Sequence, residues 1–187
     1  AEMTSEYIHR CLSMNEVGDA QLFSCLFRDK FIFCKNTQEW FEWQGHYWKR
    51  DIMNRAIAAW EDVCEKYCSE WKTIRAAELS NISDINGDDL YSGKKMLLRR
   101  LSERISLLRT DRRRQSCLKI VHTLKDPLAV TGEEFDDKPL LFPCANGVLD
   151  LETGRLHDGR PGAYLSLSSP VSFLGIDAPA PLWEKSI

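Results

Sequence analysis

Apolar residues recur at helical spacing in four segments of this 187-residue chain. The first predicted helix covers residues 18–29. The second covers residues 52–74, where apolar positions alternate at intervals of four and three residues. Two more helices are predicted over residues 94–108 and 112–124. Asp111 is expected to cap the last of them, and Asp126-Pro127 is expected to end it.

Short aromatic and β-branched runs lie between the first two predicted helices. Two or three strands are predicted over residues 31–34, 39–43 and 46–49, with a turn at Gln44-Gly45. Farther along, residues 140–142 predict a buried strand or extended segment, and residues 146–156 predict a β-hairpin with Gly154 at its turn. Residues 81–93 predict a loop or a short helix between two loops, and residues 131–138 an acidic loop. Together these elements predict an α+β fold with a mainly helical core, an N-terminal aromatic β-meander and a C-terminal β-hairpin.

The composition is typical of a folded chain. Hydrophobic residues make up 43% of it and six residues are Trp, which is enough to bury a core. One domain, or one domain with a small appendage, is expected. No apolar run is long enough to span a membrane, and the first twenty residues lack the apolar centre of a signal peptide. A cytoplasmic location is therefore expected.

The seven cysteines are an odd number, and most of them lie among apolar residues. This pattern predicts reduced, buried thiols rather than disulfides. Cys64 and Cys68 are four residues apart and could face one metal ion from a helix. Because no second pair of Cys or His with ligand spacing follows nearby, no metal site is predicted.

Positive charge is concentrated in one segment, although the net charge of the chain is −3. Eleven basic residues and only two acidic ones lie between Lys94 and Lys125, and both flanks are acidic. A helix pair that buries its leucines and projects its cations would bind nucleic-acid phosphates. The predicted DNA-binding residues are Lys94, Lys95, Arg99, Arg100, Arg104, Arg109, Arg112, Arg113, Arg114 and Lys119. The alternatives are a solvated helix face, or one paired with the acidic residues at 61–70 and 133–137.

Aromatic residues of the β-meander offer a second nucleic-acid interpretation. Trp40, Trp43, Tyr47 and Trp48 could form a platform on which bases stack. Core packing is the favoured alternative, because a small sheet that packs against helices needs large apolar side chains on one face.

No segment has the pattern of a catalytic site. Residues 87–95 fail as a phosphate loop, because five residues separate the glycines where four are needed and Lys95 replaces the required Ser or Thr. Pairs of carboxylates occur at residues 88–89, 136–137 and 150–152, but no strand alternation would present two of them to metal ions. We therefore expect no catalytic residue, metal or cofactor in this chain, and an enzyme in its own right is disfavoured.

Two groups of motifs resemble one known module. The first is Ala145-Asn146-Gly147-x-Leu149-Asp150-Leu151-x-Thr153-Gly154-x-Leu156, followed by Pro170-Val171 and Pro181-x-Trp183-Glu184. The second is Gly18-Asp19-Ala20 with Trp40-x-x-Trp43-x-Gly45-x-x-Trp48. Both resemble the module that precedes the motor in phage and plasmid DNA primase-helicases and in related poxvirus proteins. The middle helices are similar only in kind, so the basic segment is a feature of this protein rather than a family motif.

The resemblance implies a domain organisation and a set of partners. Residues 1–17 would be an N-terminal extension, residues 18–177 the pre-helicase module, and residues 178–187 a Pro-rich connector toward a helicase domain that this chain lacks. The chain would be a fragment of a primase and ATP-dependent DNA helicase of superfamily 3. Its implied partners are single-stranded or duplex DNA, the primase and helicase domains of the same protein, and other copies in a hexamer.

Two functions follow from this resemblance. The module would couple the primase and helicase domains and contact DNA during replication. The alternative is an assembly domain that makes protein contacts during ring formation without touching DNA.

Overall fold

The computed structural model describes residues 3–80 and 88–179, without the side chains of residues 78–80 and 88–91. The helices are α1 (Ser5–Ser13), α2 (Asn15–Phe27), α3 (Arg55–Ala58), α4 (Trp60–Ser80), α5 (Asp88–Leu108) and α6 (Asp111–Val121). The strands are β1 (Phe31–Cys34), β2 (Glu39–Trp43), β3 (Trp48–Arg50), β4 (Ala129–Val130), β5 (Leu141–Cys144), β6 (Gly147–Asp150) and β7 (Arg155–His157), and a 3₁₀ turn covers Pro161–Ala163. The predicted α+β class is confirmed.

The chain forms two compact units. Unit 1 comprises Ala1–Phe33 and Asp51–Ala129 and contains the six helices named above; unit 2 comprises Cys34–Arg50 and Val130–Ile187. One sheet has the strand order β3-β2-β1-β4, and the boundary between the units falls within β1 and β4. The other sheet, β5-β6-β7, is antiparallel throughout and belongs to unit 2. None of the described helices is both long and apolar enough to cross a membrane.

The core of unit 1 contains a helix that the sequence analysis did not predict. Helix α1 buries Ile8, Cys11 and Leu12, a short apolar stripe interrupted by charged residues. It crosses α2 at Gly18, where a Cβ atom would lie 1.8 Å from the carbonyl oxygen of Cys11. Only glycine therefore allows the two helix backbones to approach this closely.

The single helix predicted over residues 52–74 is wrong at its start. Ile52 and Met53 are exposed and precede α3, and α3 and α4 are separate elements. The Asp51 carboxylate accepts hydrogen bonds from the backbone N–H groups of Arg55 and Ala56, and Asn54 has a left-handed backbone with φ of 55°. This local capping sets the helix start at residue 55.

Other boundaries also differ from the prediction. Helix α5 begins at Asp88, so residues 88–93 are helical rather than loop, while the rest of the predicted loop, residues 81–87, lies outside the described residues. Thr110, not Asp111, is the N-cap residue of α6, and α6 ends at Val121, before Asp126-Pro127 is reached. Leu140 and Phe142 are exposed, whereas Pro143 and Cys144 are the buried residues of that segment.

The β-meander and the C-terminal hairpin are confirmed, although the third strand of the meander covers Trp48–Arg50 rather than residues 46–49. Trp43 pairs with Trp48 across β2 and β3, and the intervening loop is closed by a hydrogen bond from the Gln44 N–H to the Tyr47 carbonyl. In the hairpin of β6 and β7, Gly154 has φ of 67°, the left-handed conformation expected at that turn.

We predict that Gly18→Ala lowers the free energy of unfolding by about 1–3 kcal/mol, because the new methyl group meets backbone rather than a movable side chain. Urea denaturation of the purified chain measures this change. Gly93→Ala is the matched control. Gly93 also lies in a helix, but no described atom is within 4 Å of its Cβ position, so alanine should raise stability by about 0.5–1 kcal/mol. Equal destabilisation by both substitutions would contradict the close-approach argument.

Candidate nucleic-acid interface on α5 and α6

The basic segment does not project as one surface, because part of it surrounds the buried Asp19 carboxylate. Asp19 lies on α2 and has no exposed surface. Its oxygens accept hydrogen bonds from Tyr67 at 2.9 Å, from Arg104 Nη1 at 2.7 Å and from Arg113 Nη2 at 2.8 Å. The Cys117 Sγ lies 3.9 Å away. Helices α2, α4, α5 and α6 therefore meet at a single charged group.

Arg104 makes its hydrogen bonds within and beside this cluster. Besides Asp19, it donates to the Leu12 carbonyl at 3.2 Å and to the Asn15 side chain at 3.0 Å, and it is 7% exposed. The expectation that Arg104 projects toward DNA is wrong, because its helix position faces the core. The Arg113 side chain is 16% exposed and is held by both Asp19 and Glu16.

The donors around Asp19 keep their protons. Burial, and then the Asp19 charge, raise the pKa of Tyr67 well above its usual value. The same two causes raise the pKa of Cys117 to about 12. Tyr67 and Cys117 therefore remain neutral near pH 7, and the positive charge that balances Asp19 comes from the two arginines.

A second group of basic residues pairs with Glu61 of α4. Arg109 and Arg114 both donate to its carboxylate, each at a shortest distance of 2.7 Å. These hydrogen bonds, led by that from Arg109, lower the pKa of Glu61 below its usual value. For these two arginines the alternative of pairing with the acidic residues at 61–70 is confirmed.

The remaining cations form what we call the exposed basic surface: Lys94, Lys95, Arg99, Arg100, Arg112 and Lys119. Arg99 bonds Glu103 one turn along α5, yet its side chain is 81% exposed. The other five form no ion pair with any residue in the described part of the chain, and of these Lys94 is half-buried. Lys95 and Arg99 are four residues apart, so they lie on one side of α5. DNA contact by these residues stays a prediction.

The aromatic residues of the meander divide between core and partial exposure. Trp48 is 1% exposed, and its indole N–H donates to the Pro161 carbonyl at 2.9 Å. The favoured alternative, core packing, is therefore confirmed for Trp48, since a buried ring cannot receive a base. Trp40, Trp43 and Tyr47 are half-buried, and base stacking by them stays a prediction.

The other candidate groups have structural roles. Asp150 accepts hydrogen bonds from the backbone of Glu152 and Thr153 and so closes the hairpin turn. Asp136 accepts from the backbone and hydroxyl of Ser166. Across residues 3–80 and 88–179, no three His, Cys, Asp or Glu side chains are placed to share a metal ion. All seven cysteines are thiols, of which Cys11, Cys34, Cys64, Cys117 and Cys144 are buried.

The C-terminal motif residues perform a task that sequence reasoning missed. The Asn146 side chain accepts a hydrogen bond from the Phe173 N–H and donates one to the Phe173 carbonyl, both at 2.9 Å. Ala145 bonds Val171, and Ser169 bonds Pro143, through the backbone. The two separate motif segments therefore lie side by side in unit 2. We call this arrangement the Asn146 clamp.

Replacing Asp19 by Asn should lower the free energy of unfolding by about 3–5 kcal/mol, because the buried Arg104 and the largely buried Arg113 lose the carboxylate that balances them. Urea denaturation measures the loss. The control is Glu16→Gln, which removes a more exposed partner of Arg113 and should change stability by less than about 0.5–1 kcal/mol. Equal midpoints for the two variants would argue against Asp19 as the organising charge.

Asn146→Ala should release residues 169–173 from the β5 side of the sheet without unfolding the chain. Hydrogen exchange at the Phe173 amide should become at least about tenfold faster, since its acceptor is lost. The Gln44 amide, bonded within the meander, serves as an internal reference and should keep its rate. Unchanged exchange at Phe173 would show that Asn146 does not hold this segment.

Comparison with known proteins agrees with the motifs. The family model described as "D5 N terminal like" matches residues 20–187. The protein named "Putative helicase 022R" of Frog virus 3 (isolate Goorha) is 49% identical over 43 residues. That match covers 23% of this chain and only 4% of the viral protein. The family match extends over most of the sequence, and the chain therefore belongs to the D5 N terminal like family, the N-terminal domain of D5-like primase-helicases.

Proposed function

We propose that this chain is a non-catalytic, replication-associated module of a longer primase-helicase and that it contacts DNA through the exposed basic surface. Family membership supports the association with replication. The matching viral protein is named a helicase, and the shared segment is 4% of its length. Because the shared segment is so small a part of the viral protein, the module would assist the helicase motor rather than form the motor itself. It would couple primase and helicase domains and assemble with other copies in a ring.

The observation that carries the DNA contact is the charge on α5 and α6 that no described residue balances. Five of the six cations in the exposed basic surface have no ionic partner among the described residues. Lysine and arginine side chains that lack a protein counter-charge attract phosphates and gain affinity when DNA releases its counterions. Such binding reads the backbone and not the base sequence, which suits a module that must follow DNA of any sequence.

A second candidate, the assembly domain without DNA contact, is favoured by apolar exposure in unit 2. Leu167, Val171, Leu174 and Ile176 are 67–81% exposed within ten residues. A groove of about 440 Å³ is lined by Pro139, Leu141, Phe142, Pro143, Leu165 and Leu167, among other residues. Exposed apolar side chains at this density are typical of protein contacts.

Fluorescence anisotropy with a labelled single strand and a labelled duplex tests the proposal. If about six phosphates are contacted, affinity should fall on the order of 10³-fold between 50 and 200 mM salt. Lys95→Glu combined with Arg100→Glu should weaken binding and reduce the salt slope by about 2. Arg112, Arg113 and Arg114 are not reversed together, because Arg113 binds the buried Asp19 carboxylate and its reversal would destabilise the fold.

The matched control reverses Arg155 and Arg160, two exposed arginines of unit 2, and changes the net charge equally. This control variant should leave the salt dependence of DNA affinity unchanged. An identical loss of DNA affinity in both double variants would show that the effect depends only on net charge. No binding at low salt, together with concentration-dependent sedimentation, would favour the assembly domain.

A further inference from the structure

Glu61 lies between two guanidinium groups in a way that resembles a bound anion. Arg109 approaches its Oε1 with Nε at 3.0 Å and Nη2 at 2.7 Å. Arg114 approaches its Oε2 with Nη2 at 2.7 Å. Two arginines that converge on adjacent oxygens with charge-assisted hydrogen bonds also match the geometry of a phosphate group. We call Arg109, Arg114 and Glu61 the corner site.

One side of the corner site is fixed and the other is open. Arg114 Nε donates to the Leu108 carbonyl at 2.7 Å, and the Arg114 side chain is 19% exposed. The Arg109 and Glu61 side chains are 52% and 40% exposed. A ligand in solution can therefore reach the carboxylate. Ion pairs this exposed contribute little to stability, so replacing the carboxylate by a phosphate costs little.

The corner site adjoins the exposed basic surface. Arg109 directly follows Leu108, the last residue of α5, and lies fourteen residues after Lys95, which corresponds to about 21 Å along the helix. Arg112, which has no ionic partner in the part of the chain that the structure describes, follows three residues after Arg109. A nucleic-acid strand that lies along α5 from Lys95 would reach the corner site.

We infer that Arg109 and Arg114 form a phosphate-binding position that the chain's own Glu61 occupies until a nucleic-acid phosphate displaces it. The inference rests on the proposed DNA contact for its ligand, but the anion position itself depends only on the two arginines. Glu61 then acts as an internal competitor. It weakens binding to any strand that does not bring a phosphate within reach of both guanidinium groups.

The test compares three single variants and one double variant of the full chain. Glu61→Gln keeps the shape of the side chain and removes the competitor. Glu65→Gln is the control, since it removes the same charge from an exposed position on the same helix. Arg109→Gln removes the open arginine of the corner site. Glu61→Gln combined with Arg109→Gln shows whether the two effects are coupled.

In the anisotropy assay, Glu61→Gln should bind DNA roughly fivefold more tightly than Glu65→Gln, the effect of losing one exposed ion pair. Arg109→Gln should reduce the salt slope by about 1, and the gain should vanish in the double variant. The inference would be overturned if Glu61→Gln gained no more DNA affinity than Glu65→Gln. It would also be overturned if the gain in affinity persisted in the double variant.

Inorganic pyrophosphate provides a readout that does not need DNA. It should raise the melting temperature of Glu61→Gln more than that of Glu65→Gln, and the difference should disappear in the double variant. If this result appears while no variant binds DNA, the anion position stands and the proposed function fails. If pyrophosphate raises the melting temperatures of Glu61→Gln and Glu65→Gln equally, there is no such anion position, regardless of the DNA-binding result.

Discussion

A carboxylate can be buried away from water at an acceptable energetic cost only where donors and positive groups surround it. Asp19 meets that condition because α4 supplies Tyr67, α5 supplies Arg104 and α6 supplies Arg113. The rest of unit 1 depends on this requirement. Apolar side chains would tolerate several rotations of these helices, but the four groups meet in one arrangement only. The close approach of α1 and α2 at Gly18 adds Leu12 and Asn15 as acceptors for Arg104.

The same requirement separates arginines that look alike in sequence. Arg104 lies three residues after Leu101 and four before Leu108, both fully buried, so its helix face alone could have placed it in the core. Asp19 likewise precedes Leu22 and Phe23 by three and four residues. Residue spacing alone could therefore have predicted opposite charges on the apolar faces of α2 and α5. The contact between Asp19 and Arg104, and the pairing of Glu61 with Arg109 and Arg114, depend on tertiary packing that spacing does not encode.

The fold was predictable where one local signal dominates. The leucine pattern of α5, the aromatic strands and the left-handed Gly154 gave the elements of the family module. Prediction failed where a short-range polar contact overrides periodicity. Asp51 starts α3 after exposed apolar residues, and α1 carries too few buried side chains to stand out among its charges. The exposed basic surface is smaller than the basic segment because four arginines of that segment pair with Asp19 or Glu61.

The Asn146 clamp gives unit 2 a mechanical property. Tension applied to the chain beyond residue 173 would first load the two hydrogen bonds between Asn146 and Phe173. The backbone bonds at Val171 and Ser169 would be loaded next. Force on this end of the chain would therefore be borne first by the β5-β6-β7 sheet of unit 2. The clamp would act as a tether between this sheet and the segment that follows Phe173.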